Sequence, residues 1–274
     1  MGRRRLRRQR LKVIPIRRIV PNLVTLGGLC CGLSALRFSV DGRFELAVAL
    51  LAAAAIIDGM DGRLARLLNS TSAFGAQLDS LSDFLCFGVS PPFVLYMWKL
   101  HEIKGLGWAC VLFFTVCCAL RLARFNTALN TEHAPWEAKF FVGIPSPSGA
   151  MLSLMPIVYS FGYTGIFDNV FFCIIWTTFM GVLMASKIPT FAAKRLRVPH
   201  DWLLPIMLGL GLVMVFVFIE PWVMFNICGL IYCAFVPVSI YSYRKLVRLN
   251  RQIAAITVSP AASSSPELHP PAAE

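Results

Sequence analysis

Apolar residues run along this chain in long blocks, separated by short links that carry charge, proline or glycine. Most blocks approach the ~20 residues an α-helix needs to cross a bilayer. Eight spans can be drawn, at about 20–38, 45–67, 74–98, 106–125, 147–166, 170–190, 202–219 and 222–242. The fifth and sixth are joined by a short glycine-containing link. The pattern predicts an all-α fold, a polytopic membrane helical bundle. An even number of spans puts both chain ends in one compartment.

Composition agrees. Hydrophobic residues make up 57% of the 274 and charged residues only 15%, against about 25% in ordinary soluble domains. A soluble globular class is thereby excluded. The nine cysteines fall in apolar segments without a CxxC pair, which suggests small packing residues rather than a zinc or redox site. His101, His133, His200 and His269 are scattered without ligand spacing.

A net charge of +12 raises the question of nucleic acid, but its placement points to a membrane. Arg3, Arg4, Arg5, Arg7, Arg8, Arg10, Lys12, Arg17 and Arg18 directly precede the first span. Such a juxtamembrane arm is drawn to anionic lipid at about 1 kcal/mol per residue. Of 26 Lys and Arg, only Arg37, Arg43, Lys99 and Lys104 fall on the side opposite the N-terminus. By the positive-inside rule both termini are cytoplasmic, and no cleavage site of the secretory kind follows the first span. Three parts are expected: a basic arm over 1–19, a transmembrane domain over 20–251 and a disordered tail over 252–274. The tail is rich in proline, serine and alanine without periodicity.

Four carboxylates break the apolar pattern: Asp58 and Asp61 in the second span, Asp79 and Asp83 in the third. Each would cost roughly 2.5–3.5 kcal/mol in a transmembrane helix unless a cation or water receives it. Within each pair the two lie one helical turn apart and share a face. Asn69, Ser70, Thr71 and Ser72 form a turn and N-cap cluster between the spans. Folding the chain back there sets Asp58 level with Asp83 and Asp61 level with Asp79. All four then lie about 13–18 Å from the turn at 1.5 Å per residue. Carboxylates converging in this way repel unless a divalent cation enters. Oxygen ligands alone favour hard cations such as Mg²⁺, Mn²⁺ or Ca²⁺ over zinc. Magnesium sites commonly combine carboxylates with substrate phosphates, which points to phosphoryl or pyrophosphoryl chemistry on a lipid. Gly62, Ala65 and Gly75 leave room near the backbone, either for a bulky ligand or for a neighbouring helix.

The full string reads Asp-x2-Asp-Gly-x2-Ala-Arg-x8-Gly-x3-Asp-x3-Asp, at Asp58, Asp61, Gly62, Ala65, Arg66, Gly75, Asp79 and Asp83. It resembles the signature of the CDP-alcohol phosphatidyltransferases at every fixed position. Pro21, Asn22 and Thr25 resemble that family's N-terminal Pro-Asn-x2-Thr element. The segments 121–126, 143–147 and 186–190 are similar to those of its phosphatidylserine synthase branch, although Ala193 stands where that branch has a serine.

The resemblance covers most of residues 20–197. It implies a six-helix catalytic core around a cytoplasm-facing polar cavity in the cell (inner) membrane, usually in a homodimer. The activity implied is transfer of a phosphatidyl group from CDP-diacylglycerol to L-serine, releasing CMP. By the same resemblance Asp58, Asp61 and Asp79 bind Mg²⁺ or Mn²⁺, and Asp83 is the general base and shares the metal site. Asn22, Thr25, Gly62, Ala65, Arg66 and Gly75 are expected to line the CDP-lipid site. Arg121, Arg124 and Asn126 either bind the acceptor or form the positive-inside end of span four. Three rivals stand beside this reading. They are transfer to another alcohol (choline, glycerol 3-phosphate or inositol), intramembrane prenyl transfer, and an ion-coupled transporter.

Overall fold

The computed structural model describes residues 19–68, 70, 72–128, 140–162, 165, 168–186, 189–191, 203–235, 237 and 239. Residues 1–18 of the basic arm, the tail, Lys187 and residues 129–139 lie outside the described residues. The first two helices are α1 (Ile19–Val40) and α2 (Phe44–Leu67). A third rod follows, made of α3 (Ala73–Asp83), a π-helical turn (Phe84–Val89) and α4 (Ser90–Trp98). After a 3₁₀ turn (Leu100–Glu102) come α5 (Lys104–Ala128), α6 (Ser146–Ser153), α7 (Met155–Ser160) and α8 (Val170–Ala185). The last two are α9 (Leu203–Ile219) and α10 (Pro221–Phe235). The α1 rod, the α3–α4 rod and α5 are each long and apolar enough to cross a membrane. These are the helices of an integral membrane protein.

Besides the third span with its π turn, the fifth and sixth also depart from the expected pattern. The fifth breaks into α6 and α7, because Pro156 has no N–H to give the carbonyl of Leu152, four residues back. The indole Nε1–H of Trp176 on α8 donates to that Leu152 carbonyl at 2.8 Å instead. The sixth ends at Ala185 rather than near 190, since Ser186 is already extended at φ −66°, ψ 161°. Residues beyond it form β2 (Pro189–Phe191), antiparallel to β1 (Phe140–Val142), with Phe140 opposite Phe191 and Val142 opposite Pro189. This ribbon is a small addition to an otherwise helical bundle. Gly143, at φ +81°, turns the chain from β1 toward α6; a Cβ there would lie 2.9 Å from the carbonyls of Met184 and Ser186.

The apolar core sits away from the turn that joins α2 to α3. One cluster gathers Leu51, Leu95, Leu100, Leu154 and Ile157; a second joins Phe114 and Leu122 of α5 to Met180 and Met184 of α8. α1 lies along α2 and against the third rod, while α5 packs on α8. α10 reaches the bundle through Gly229, whose missing side chain admits Met155. The end of the bundle nearest residues 68–72 is left for polar groups.

Candidate active site

Ser72 starts the hairpin partner of α2. Its backbone is extended and its Oγ accepts from the Gly75 N–H at 3.0 Å, the geometry of an N-cap. This fixes where α3 begins, and hence the level at which Asp79 and Asp83 meet Asp58 and Asp61. The Ser82 hydroxyl on α3 donates to the Thr25 carbonyl of α1 at 3.5 Å. The Thr25 hydroxyl in turn makes a 2.8 Å hydrogen bond to Oδ2 of Asp61, which is buried. α1 thus acts as a brace between the two aspartate-bearing helices.

Asp58, Asp61 and Asp79 each bring a carboxylate oxygen to within 4.8 Å of the other two. At such separations, with an effective dielectric near 20, each pair of charges repels by roughly 3–4 kcal/mol. Among the described residues no salt bridge reaches any of the four aspartates. Three oxygens at this spacing suit one hard cation, whose opposed ligands stand about 4–5 Å apart. The residues present therefore fit a divalent metal of the Mg²⁺ or Mn²⁺ kind. Asp83 stands outside this trio but close enough to Asp58 for the two carboxyl groups to interact. It also feels the charge of Arg121 across from α5.

Beside the trio opens a cleft of about 440 Å³. Asn22, Thr25, Gly62, Ala65, Arg66 and Gly75, which the sequence grouped by resemblance, all line it together with Asp61 and Asp79. A Cβ on Gly62 would meet nothing within 4 Å, so that glycine borders open space. Gly75 behaves differently: a Cβ there would lie 3.0 Å from Oδ1 of Asn22 and 3.2 Å from the Ser72 hydroxyl. Its smallness serves the approach of α1 to α3. The Arg66 Nε–H donates to the Gly62 carbonyl at 3.0 Å, and the residue is exposed at the rim.

The three expected acceptor residues separate. Arg121 is half-buried and its Nη1–H donates to the Ser146 hydroxyl of α6, while its buried Nε has no hydrogen-bond partner among the described residues. Arg124 donates from Nη2 to the carbonyls of Ala185 at 2.8 Å and Ser186 at 3.3 Å, closing the C-terminus of α8. Asn126 exchanges hydrogen bonds with Ser80 of α3 at 3.1 and 3.3 Å. Arg124 and Asn126 therefore fasten helices, and Arg121 alone of the three keeps a buried donor unused. Ser146, Ser70 and Ser72 belong to these surroundings as well. Nothing in an isolated serine marks it for such a place; only the fold does.

A bundle of apolar helices with carboxylates gathered beside a cleft fits a membrane-embedded enzyme acting on phosphate esters. The sequence profile of the CDP-alcohol phosphatidyltransferases matches residues 18–183, and a second profile described as CDP-alcohol phosphatidyltransferase 2 matches 201–237. The chain belongs to the CDP-alcohol phosphatidyltransferase family. It is similar to the CDP-diacylglycerol–serine O-phosphatidyltransferase of Mycobacterium leprae, at 36% identity over 83% of this chain and 76% of that one. Similarity to the Helicobacter pylori protein of the same description is 33%, over 74% of this chain and 83% of the relative. A further relative so described, from Methanocaldococcus jannaschii, is 33% identical over 63% of this chain and 75% of its own length.

Proposed function

We propose that this chain transfers the phosphatidyl group of CDP-diacylglycerol to the hydroxyl of L-serine, giving phosphatidylserine and CMP. The observation that carries the reading is the convergence of Asp58, Asp61 and Asp79 beside a cleft wide enough for a nucleotide. Those three carboxylates hold the divalent cation, Mg²⁺ or Mn²⁺. When bound, such an ion supplies charge neutralisation on the diphosphate. Asn22, Thr25, Gly62, Ala65 and Gly75 shape the nucleotide end of the cleft, and Arg66 at the rim offers its guanidinium to phosphate.

Asp83 is the base. It stands one turn beyond Asp79, at the side of the trio facing Arg121, and accepts the proton of the serine hydroxyl. The serine oxygen forms a bond to the phosphatidyl phosphorus while the bond from that phosphorus to the CMP oxygen breaks. Arg121, with its unused Nε–H, takes the serine carboxylate or the migrating phosphate. Phosphoryl transfer asks the protein chiefly for position and fixed charge, and these residues supply both. The positive-inside pattern supports a cleft and termini on the cytoplasmic side of the cell membrane, and a homodimer is the expected assembly.

Supplying purified protein with labelled CDP-diacylglycerol and a panel of alcohols tests this. Serine-dependent phosphatidylserine and CMP are expected. Product with glycerol 3-phosphate, inositol or choline, and none with serine, removes the serine assignment while leaving the family chemistry in place.

A further inference from the structure

The third rod does not run as one α-helix. Immediately after Asp83 it widens into a π turn over Phe84–Val89 and narrows again at Ser90. The cause lies just beyond, in Pro91 and Pro92. Neither can donate to the carbonyl four residues back, which frees those of Phe87 and Gly88, and each ring crowds the preceding turn. Bonding from i to i+5 holds one more residue per turn than an α-helix. The faces presented before and after the turn are therefore offset by about one residue, or roughly 100°.

Side chains from two directions hold this turn. The Thr115 hydroxyl of α5 donates to the freed Gly88 carbonyl at 3.0 Å. The Ser90 hydroxyl donates to the Leu85 carbonyl at 2.9 Å and to the Gly32 carbonyl of α1 at 3.2 Å. α1 comes so close that a Cβ on Gly32 would lie 2.6 Å from Cys86 Sγ and 3.3 Å from Cys86 Cα. On the opposite side a Cβ on Gly88 would meet Cys118 Sγ at 3.1 Å. The turn is thus clamped between α1 and α5, and Asp83 is the residue on which it begins.

We infer that Thr115, with Ser90, is a positioning residue for the reaction: by holding the π turn, it aims Asp83 at Asp58 and the reacting centre. Neither hydroxyl touches substrate in this account. Each acts through a backbone carbonyl one turn from the base. The inference rests on the role proposed above for Asp83.

The test compares Thr115→Val, Thr115→Ser and wild type as purified full-length protein in lipid nanodiscs, following serine-dependent CMP release. Misplacing a catalytic group by an ångström can lower the rate as much as 100-fold, so kcat of Thr115→Val should fall by about 10- to 100-fold. KM for both substrates should stay within about twofold, because the ground-state contacts are untouched. Thr115→Ser, which keeps the hydroxyl, should restore kcat. An unchanged kcat in Thr115→Val, or a kcat that the serine variant fails to restore, overturns the inference. So does a rise in KM with kcat held.

Should Thr115→Val fail to fold, Ser90→Ala gives the same readings and is judged the same way. Hydrogen exchange supplies a measure independent of turnover. Amides of residues 84–90 should lose protection in Thr115→Val, and unaltered protection sinks the idea. A wild type inactive with serine but active with another alcohol counts against the proposed acceptor only, and the same kcat comparison is then made with that alcohol.

Discussion

Asp61 and Asp83 show how differently placed carboxylates acquire different work. Asp61 is buried, takes a hydrogen bond from Thr25 and sits within the trio of oxygens. Asp83 lies beyond that trio, beside Asp58 and within the field of Arg121. Asp83→Asn keeps the shape but loses the proton acceptor. Turnover should drop by about 100-fold or more, in the range typical for a general base, while CDP-lipid still protects the protein against thermal unfolding. Asp61→Asn should do the opposite first, weakening cation-dependent binding of CDP-lipid in a titration with Mn²⁺. Equal loss of binding in both variants would erase the division of roles. Arg124 and Asn126 illustrate a further point. Each looks like a ligand group in the sequence, yet each already has partners within the protein, on α8 and α3 respectively.

At the scale of elements, polar side chains repair what proline removes. Trp176 satisfies the carbonyl that Pro156 leaves open, and Thr115 satisfies one left open by Pro92. Replacing Trp176 by Phe keeps most of the ring packing but strands the Leu152 carbonyl in an apolar setting. An unsatisfied buried acceptor costs about 1–3 kcal/mol. A lower thermal midpoint is expected, measured in detergent by intrinsic fluorescence, with KM for CDP-lipid unaltered. A midpoint equal to wild type would show that the α6–α7 break needs no cap. The hairpin of α2 and α3 obeys the same economy: one serine N-cap sets the register for two aspartates.

Across the whole molecule, six helical rods (α1, α2, α3–α4, α5, α6–α7 and α8) pack together and the cleft is lined from α1, α2, α3 and the α2–α3 turn, with α10 buttressing α7 and α9 exposed along its described length. One apolar cluster centres on Leu51, Leu95 and Ile157, and a second, with Leu122, Met184 and Phe84, reaches the level of Asp83. Three converging carboxylates repel one another, and in the proposed function a bound cation relieves that repulsion. Exhaustive chelation should abolish turnover, and Mg²⁺ or Mn²⁺ should restore it. Undiminished activity in excess chelator would contradict the role given to Asp58, Asp61 and Asp79.

Helix positions and the aspartate hairpin were legible in the chain. The span limits fall within a few residues for α1, α2 and α5, because apolar length and turn residues are local properties. The matched spacing of Asp58 with Asp83 and of Asp61 with Asp79 also follows from helical rise alone. The π turn, the split fifth span and the ribbon after α8 were not legible. Each depends on which neighbour meets a carbonyl left without a partner, and such encounters join residues tens of positions apart. The same holds for Arg121: its charge is written in the sequence, but its unused Nε is a consequence of how α5 meets α6. Local periodicity determined where the carboxylates could meet; tertiary contacts decided which one was left outside the trio, on the side of Arg121.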